Sequence, residues 1–305
     1  MSATTLGTAV MLGSSPDRSK EWHAMRAGRL GGSEIAAVIG LSKWESRFSL
    51  WHRKRGELGE KEANPAMTVG QYVEAATLAW WADQHPELNM QSAKGTWTHK
   101  DRDWQVANLD AWAAGKTKRD ASVVEAKFSV RDDEWGDEGT DEIPPYYRAQ
   151  VLWYLDVTGL AQAYVPVLFG ASGRFAEYVV RTSRAEQAYL LYEGRTFLDE
   201  VEQDIRPNLD AHTATYSAVK ELHLDIDGET VTTDPEVRDE WQAAKAALEA
   251  AKTEERRTSA VLLDLMGDAK FAQVDDDTYA RRQPTGRGSV ALYPVTPKPA
   301  KEKTA

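Results

Sequence analysis

Apolar side chains recur every three or four residues along some stretches of this chain and alternate along others. The two periods divide it into elements. The helical period first appears in "SKEWHAMRAGRLGGSEIAAVIG" and is interrupted at Gly31-Gly32. Ser33 is the expected N-cap of "EIAAVIG", which Gly40 closes. "SRFSLWHRKRGE" reads as a further helix with Phe48 and Trp51 on one side. "MTVGQYVEAATLAWWADQH" reads as a longer one, apolar at Tyr72, Ala75, Ala76, Ala79 and Trp80. After Pro86 the period shortens to two. "GTWTHKD", "WQVANLDAWAAG" and "ASVVEAKFS" are strand-like, and "GKTKRD" joins the last two as a hairpin.

Pro144-Pro145 open a helix over "YYRAQVLWYLDVTG" that Gly159 stops. "AQAYVPVLFG" and "RFAEYVVRT" form a second hairpin, and "SRAEQAYLLYEGRTFLDEVEQDI" a long amphipathic helix. This succession predicts an α/β (α+β) fold, a central mixed sheet flanked by helices, over residues 17–215 behind a flexible tail at 1–16. Beyond it, Asp234 and Pro235 start a helical stretch whose Trp241, Ala244, Leu248 and Ala251 stripe predicts a helix pair packed on a partner. "AKFAQVDDDTYARRQ" reads as a small hairpin, so 221–294 is a helical and hairpin extension. The Pro/Lys-rich end, 295–305, is expected to be disordered.

Composition narrows the chemistry. There is no cysteine among the 305 residues, which excludes disulfides, thiolate metal sites and cysteine nucleophiles and points to a reducing cytoplasm. No basic segment precedes a long apolar one at the start, so no signal peptide is expected. No window reaches the roughly 20 apolar residues of a membrane span. HExxH, GxSxG and GxxxxGK[ST] motifs are all missing, and the six histidines show no metal-ligand spacing. Net charge is −11, yet residues 17–55 hold nine Lys/Arg against four acids, while 132–142, "DDEWGDEGTDE", hold seven acids and no base. On charge alone, local binding of a polyanion and plain solvated surface are equally good readings.

The carboxylates carry more. In "ASVVEAKFS" a strand puts Val124, Ala126 and Phe128 on one face and Glu125 and Lys127 on the other. Burying that acid and that amine costs free energy unless a partner compensates them. A hairpin turning near 115–120 brings Asp110 opposite Glu125, where both could reach one hard cation such as Mg²⁺. Lys127 would then serve an attacking water or the charge on phosphorus. The competing reading is a cross-strand pair on a solvated face, worth under about 1 kcal/mol. By residue type alone, Glu74 is as readily a helix acid paired with a base. Gln150, which shares a face with Tyr146, Tyr147 and Tyr154, is more readily a core or surface residue.

Taken in order, "RLGGSEIAAVIGLSKWESRFSLWHRKRGE", "GQYVEAATLAWW", "NLDAW", "VVEAKFS" and "IPPYYRAQVLWYLDVTG" resemble the YqaJ-like viral recombinases, relatives of phage lambda exonuclease in the PD-(D/E)XK nuclease superfamily. The resemblance covers about residues 20–210. It implies a Mg²⁺-dependent exonuclease, with Mn²⁺ able to substitute, that degrades one strand of duplex DNA 5′ to 3′. The product is a 3′ overhang for a single-strand annealing recombinase. It implies that Asp110, Glu125 and the Ala126 carbonyl ligate metal, with Glu74 binding directly or through water. Lys127 would activate the water that Gln150 orients. Arg26, Ser33 and Tyr147 would grip the DNA 5′-phosphate. A toroidal homotrimer, phage or prophage encoded, is implied too. An endonuclease, an exonuclease of other polarity and a catalytically silent DNA-end-binding module are the alternatives. The acidic 132–142 stretch departs from the family pattern and would repel DNA unless it points away.

Overall fold

Strands in the chain up to Ile226, the first of two units, sort into two sheets; the second unit runs from Asp227. The computed structural model describes residues 4–16, 19–59, 65–117, 120–275, 277–286 and 288–295. One sheet has five strands in the order β1 (Thr5–Leu6), β2 (Ala9–Gly13), β5 (Thr96–His99), β6 (Arg102–Ala107) and β3 (Leu30–Gly31). The other has the order β11 (Arg174–Arg181), β10 (Gln162–Phe169), β8 (Ser122–Val124), β7 (Ala111–Ala114) and β4 (Asn89–Ser92), with β9 (Lys127–Ser129) also paired to β10. It is mixed, as expected: β8 and β9 run parallel to β10, and β4, β7 and β8 are successively antiparallel.

Alternation along these strands seats a helix on each face. Ala111, Ala113, Val124 and Tyr164 pack with Trp81 of α4 (Pro65–Gln84). Val123, Ala163, Val165 and Val167 belong to the main core with Val151, Leu152 and Leu155 of α5 (Pro145–Thr158). α2 (Gly32–Val38) and α6 (Arg184–Glu202) pack on α5 in turn. α1 (Lys20–Arg26) precedes them, and α3 (Arg47–Lys54) packs on α7 (Thr213–Leu222) through Phe48, Leu58 and Ala218. Among the described residues, no helix is long and apolar enough to cross a membrane.

The structure corrects the sequence reading at several places. Residues 5–13 are not a tail but a hairpin on the five-stranded sheet, where Leu6 and Ala9 are buried. "WQVANLDAWAAG" is two strands, because the chain passes from one sheet to the other between Ala107 and Ala111. α4 turns Val73, Glu74, Thr77 and Trp81 inward and leaves Tyr72 exposed, since Trp81 donates its indole N–H to Glu177 of β11 and thereby sets the rotation of the helix. The first unit extends past 215, because α7 is needed to cover Phe48. Finally, the expected helix pair is a single 32-residue helix, α8 (Pro235–Met266), capped by Asp234.

The second unit continues with β12 (Phe271–Val274), β13 (Asp277–Thr285) and β14 (Ser289–Pro294), a three-stranded antiparallel sheet where a hairpin was expected. Residues 296–305, expected to be disordered, lie outside the described residues.

Candidate active site

β7 and β8 pair with Ala111 opposite Val124, so Asp110 falls opposite Glu125 as the hairpin reading required. β8 and β9 hold one register against β10, in which Glu125 and Ala126 lie beside Val165 and Pro166. Pro166 has no N–H to give the ladder, and the strand is interrupted there. Glu125 N–H donates to the Tyr164 carbonyl, whereas Ala126 N–H turns the other way and donates to Asp110 Oδ2 at 2.9 Å. β7 begins only at Ala111, so the edge beside Ala126 has no strand partner. A cleft of about 370 Å³ opens there, with Glu74, Thr77, Asp110, Glu125, Lys127 and Gln150 in its wall.

Its charges are packed tightly. Glu125 is 2% exposed. Its Oε1 accepts from Lys127 Nζ at 2.8 Å and from Gln150 Nε2 at 3.0 Å. Oε2, equally buried, has no hydrogen-bond partner. Gln150 Oε1 accepts from Lys127 at 3.1 Å, and Gln150 Nε2 also donates to the Tyr154 hydroxyl at 2.9 Å. The amide is therefore oriented at both ends. Lys127 Nζ also lies 4.9 Å from the centre of the Tyr147 ring.

Burial and the Glu125 carboxylate push the Asp110 carboxyl well above the usual carboxylate range. Burial alone would lower Lys127, but Glu125 and Asp110 outweigh it and hold its proton above the ordinary lysine range. Tyr154, raised by burial and by Glu125, stays a phenol. Two acids facing one ammonium, with one carboxylate oxygen unsatisfied, form a pocket short of positive charge. Asp110, Glu125 and the Ala126 carbonyl are all-oxygen donors, the set a hard divalent cation prefers. Glu74 lines the same cleft, but among the described residues no three His, Cys, Asp or Glu side chains close on a common point.

The expected phosphate grip is arranged differently. Arg26 is 7% exposed. Its Nη1 donates to Asn108 at 2.6 Å, and its Nη2 pairs with Glu34 at 3.0 Å. Lys54 reaches the other Glu34 oxygen at 2.8 Å. Ser33 is exposed in the first turn of α2 and does not cap it; Gly31 is the N-cap, its N–H donating to Glu34 Oε2. A Cβ at Gly31 would meet the Arg26 guanidinium, and one at Gly32 would collide with the Tyr154 ring, so the glycine pair lets α2 sit against both. Tyr154 was seen in the sequence only as a neighbour of Gln150. The structure makes it the link between the α2 turn and the cleft, which only the close approach of Gly32 could have announced.

The acidic 132–142 stretch is folded down. Trp135 packs on Tyr147, Phe169 and Tyr178. Asp132 and Glu138 pair with Arg174, Asp133 with Arg131, Glu134 with Lys43, and Asp141 with Arg148.

Comparison with known proteins agrees with the motif resemblance. Residues 21–161 match the YqaJ-like viral recombinase domain. The uncharacterized protein YqaJ of Bacillus subtilis (strain 168) is 26% identical over 210 residues, covering 68% of this chain and 64% of the relative. The chain therefore spans less than two thirds of that relative. Among solved structures, LHK-Exo in complex with dAMP aligns with a TM-score of 0.50 at 19% identity, over 68% of this chain and all of that one. The alkaline exonuclease LHK-Exo from Laribacter hongkongensis, in another crystal structure, aligns with a TM-score of 0.49 at 20% identity over the same shares. The first of these two structures shares the fold, a mixed sheet flanked by helices, with this chain.

Proposed function

We propose, from the YqaJ-like viral recombinase domain that residues 21–161 carry, that this chain is a metal-dependent DNA exonuclease working 5′ to 3′ on duplex ends. The observation that carries the reading is the buried, unpartnered Glu125 Oε2 beside the raised carboxyl of Asp110 and the Lys127–Gln150 pair. Asp110, Glu125 and the Ala126 carbonyl would hold Mg²⁺ or Mn²⁺, with Glu74 acting through water. Bound there, such a cation supplies charge stabilisation to a phosphoryl oxygen and acidifies water.

The chain's own residues do the rest. Lys127, protonated, presents an N–H to the oxygen nearest phosphorus and offsets its growing negative charge. Gln150, its amide fixed by Tyr154 and Lys127, orients the attacking water. Tyr154 remains protonated and so contributes no charge. Near the α2 turn, Arg26 and Lys54 carry one positive charge more than Glu34 returns, and a 5′-phosphate would share Arg26 there, with Ser33 and Tyr147 completing its surroundings. The 3′ strand left behind suits a single-strand annealing recombinase. A homotrimeric ring would let this acidic chain surround DNA, in the cytoplasm of a bacterial host carrying the phage or prophage gene.

Linear duplex labelled at one 5′ or one 3′ end, with Mg²⁺, tests this. The 5′ label should be released first, a chelator should stop the reaction, and closed circular duplex should persist. Early loss of the 3′ label, cutting of circles, or full activity in chelator would overturn the reading.

A further inference from the structure

The sheet of the second unit has two faces of different chemistry. Its register sets Phe271 of β12, Arg281 of β13 and Tyr293 of β14 side by side in one row across the strands. Alternation puts Gln273, Thr278 and Gln283 on the same face. Phe271 is 52% exposed and Tyr293 41%, whereas Ala280, next to the row and on the opposite face, is 4% exposed. The Arg281 guanidinium lies 5.1 Å from the centre of the Tyr293 ring, and Lys270 Nζ lies 5.3 Å from that of Phe271. Arg281 also donates to the Gln283 side chain. Among the described strand residues no acid shares this face, since Asp277 pairs with Val274 and falls on the other one.

These groups suit a ligand that is flat and anionic at once. An exposed aromatic ring offers its face to another ring, and the base of an unpaired nucleotide has a free one. In a duplex those base faces are already stacked on one another. A cation beside each ring meets the phosphate next to the stacked base. Neighbouring strands lie about 4.8 Å apart, so the two rings stand about 10 Å apart with Arg281 between them. Two bases can then lie on the rings while a phosphate between them reaches the guanidinium. The Gln273 and Gln283 amides can both donate to and accept from base edges. A face that packs on protein would carry apolar residues at these central positions, and a basic partner would call for acids. The charge balance agrees: in a chain of net charge −11, residues 278–305 hold six Lys/Arg against one acid.

We propose that this face of the β12–β13–β14 sheet binds single-stranded DNA, with bases stacked on Phe271 and Tyr293 and the backbone held by Arg281 and Lys270. That the strand is DNA rests on the nuclease reading, whose digestion would leave such a strand; the stacking itself needs no metal and no cleavage.

Fluorescence anisotropy of the full chain in chelator, with a labelled thymidine oligonucleotide of about 16 nucleotides, reads this binding apart from any cleavage. Phe271→Ala and Tyr293→Ala should each weaken it at least about fivefold, the low end of what one stacked base contributes. Tyr293→Phe keeps the ring and should bind within about twofold of wild type. Val290→Ala, on the opposite face, should change nothing. Blunt duplex should bind all of these proteins alike. With 5-iodouracil in place of thymine, light should crosslink the wild-type chain at Phe271 or Tyr293, read by mass spectrometry of its peptides. The proposal is overturned if wild type does not bind, if the alanine variants bind as it does, or if Tyr293→Phe is as weak as Tyr293→Ala. Equal losses for blunt duplex, or crosslinks confined to other residues, overturn it as well. None of these results bears on cleavage in the cleft, which the end-labelled duplex tests separately.

Discussion

Two buried charge clusters lie on either side of Tyr154, and they are balanced in opposite senses. At the α2 turn, Arg26 and Lys54 share one acid, Glu34, both of whose oxygens are engaged. In the cleft, Asp110 and Glu125 share one ammonium, Lys127, and an oxygen is left over. The first cluster is complete and carries excess positive charge; the second is incomplete and carries excess negative charge. A saturated ion cluster can serve stability alone, whereas an unsatisfied buried carboxylate oxygen is a standing cost that only a further ligand removes. A nuclease acting on a phosphorylated DNA end needs both signs, an anion site for the end and a cation site for the scissile phosphate. Their spacing through one tyrosine suggests how the two could be kept in register.

The widest separation between the clusters comes from removing Glu125. Glu125→Gln keeps the shape but withdraws the charge, and cleavage should fall by roughly 10²–10³-fold. Lys127→Ala should do the same, with folding kept by circular dichroism in both. Wild-type digestion of linear duplex by either variant would mean the cleft is not the site. Arg26→Ala addresses the other cluster. It should leave cleavage of 5′-hydroxyl ends nearly intact while lowering the preference for 5′-phosphate ends about tenfold, the scale of one charge-assisted hydrogen bond. An unchanged ratio would make that cluster purely structural.

Tyr154→Phe probes the link. It removes only the acceptor for Gln150 Nε2, a bond worth about 1 kcal/mol, so kcat should drop about fivefold at unchanged KM. A change in KM instead would place the tyrosine in DNA binding. Asp110→Asn separates function from stability. Its raised carboxyl means that the folded protein prefers the neutral form, so stability falls as pH rises from the unfolded value through the folded one. The amide removes that penalty and still accepts from Ala126. In metal-free protein near neutral pH the midpoint of thermal unfolding should rise by roughly 2–4 °C, while cleavage is lost. A lower midpoint would mean the two carboxylates do not repel.

Much of this contrast was legible in the residues, and what was not has physical causes. The pairing of Asp110 with Glu125 follows from strand alternation and one turn, both local properties. The flanking helices showed in their periods, but the face α4 buries is set by Glu177, about a hundred residues away, which no local pattern can show. Arg26 read as an open cation because its partners Glu34, Gly31 and Asn108 meet it only after the chain turns. The hairpin at 5–13 was missed because two short strands gain their stability from a neighbour, β5, that lies far along the sequence. The stripe of α8 was expected to belong to a helix pair packed on a partner, whereas Pro235–Met266 is one unbroken helix with that stripe exposed.

The smallest expected effect is the most specific to the saturated cluster. Burial would raise Glu34, but Lys54 and Arg26 more than offset it, and the carboxyl is held below its ordinary 4.5. A lowered folded value stabilises the protein above the unfolded pKa, and that stability is lost as pH falls through the folded one. Gln at position 34 cannot titrate and leaves Arg26 and Lys54 facing a neutral amide. Glu34→Gln should therefore unfold a few degrees lower than wild type near pH 7, about 1–3 °C. The gap should close as pH falls through the folded value, below 4.5, because the wild-type carboxyl then becomes protonated and its cations are equally unmatched. Thermal melts of both proteins across that range measure the difference. A gap that stays constant with pH would mean that Glu34 acts through its shape and its bond to Gly31 rather than through its charge, and the opposition between the two clusters would then rest on the cleft alone.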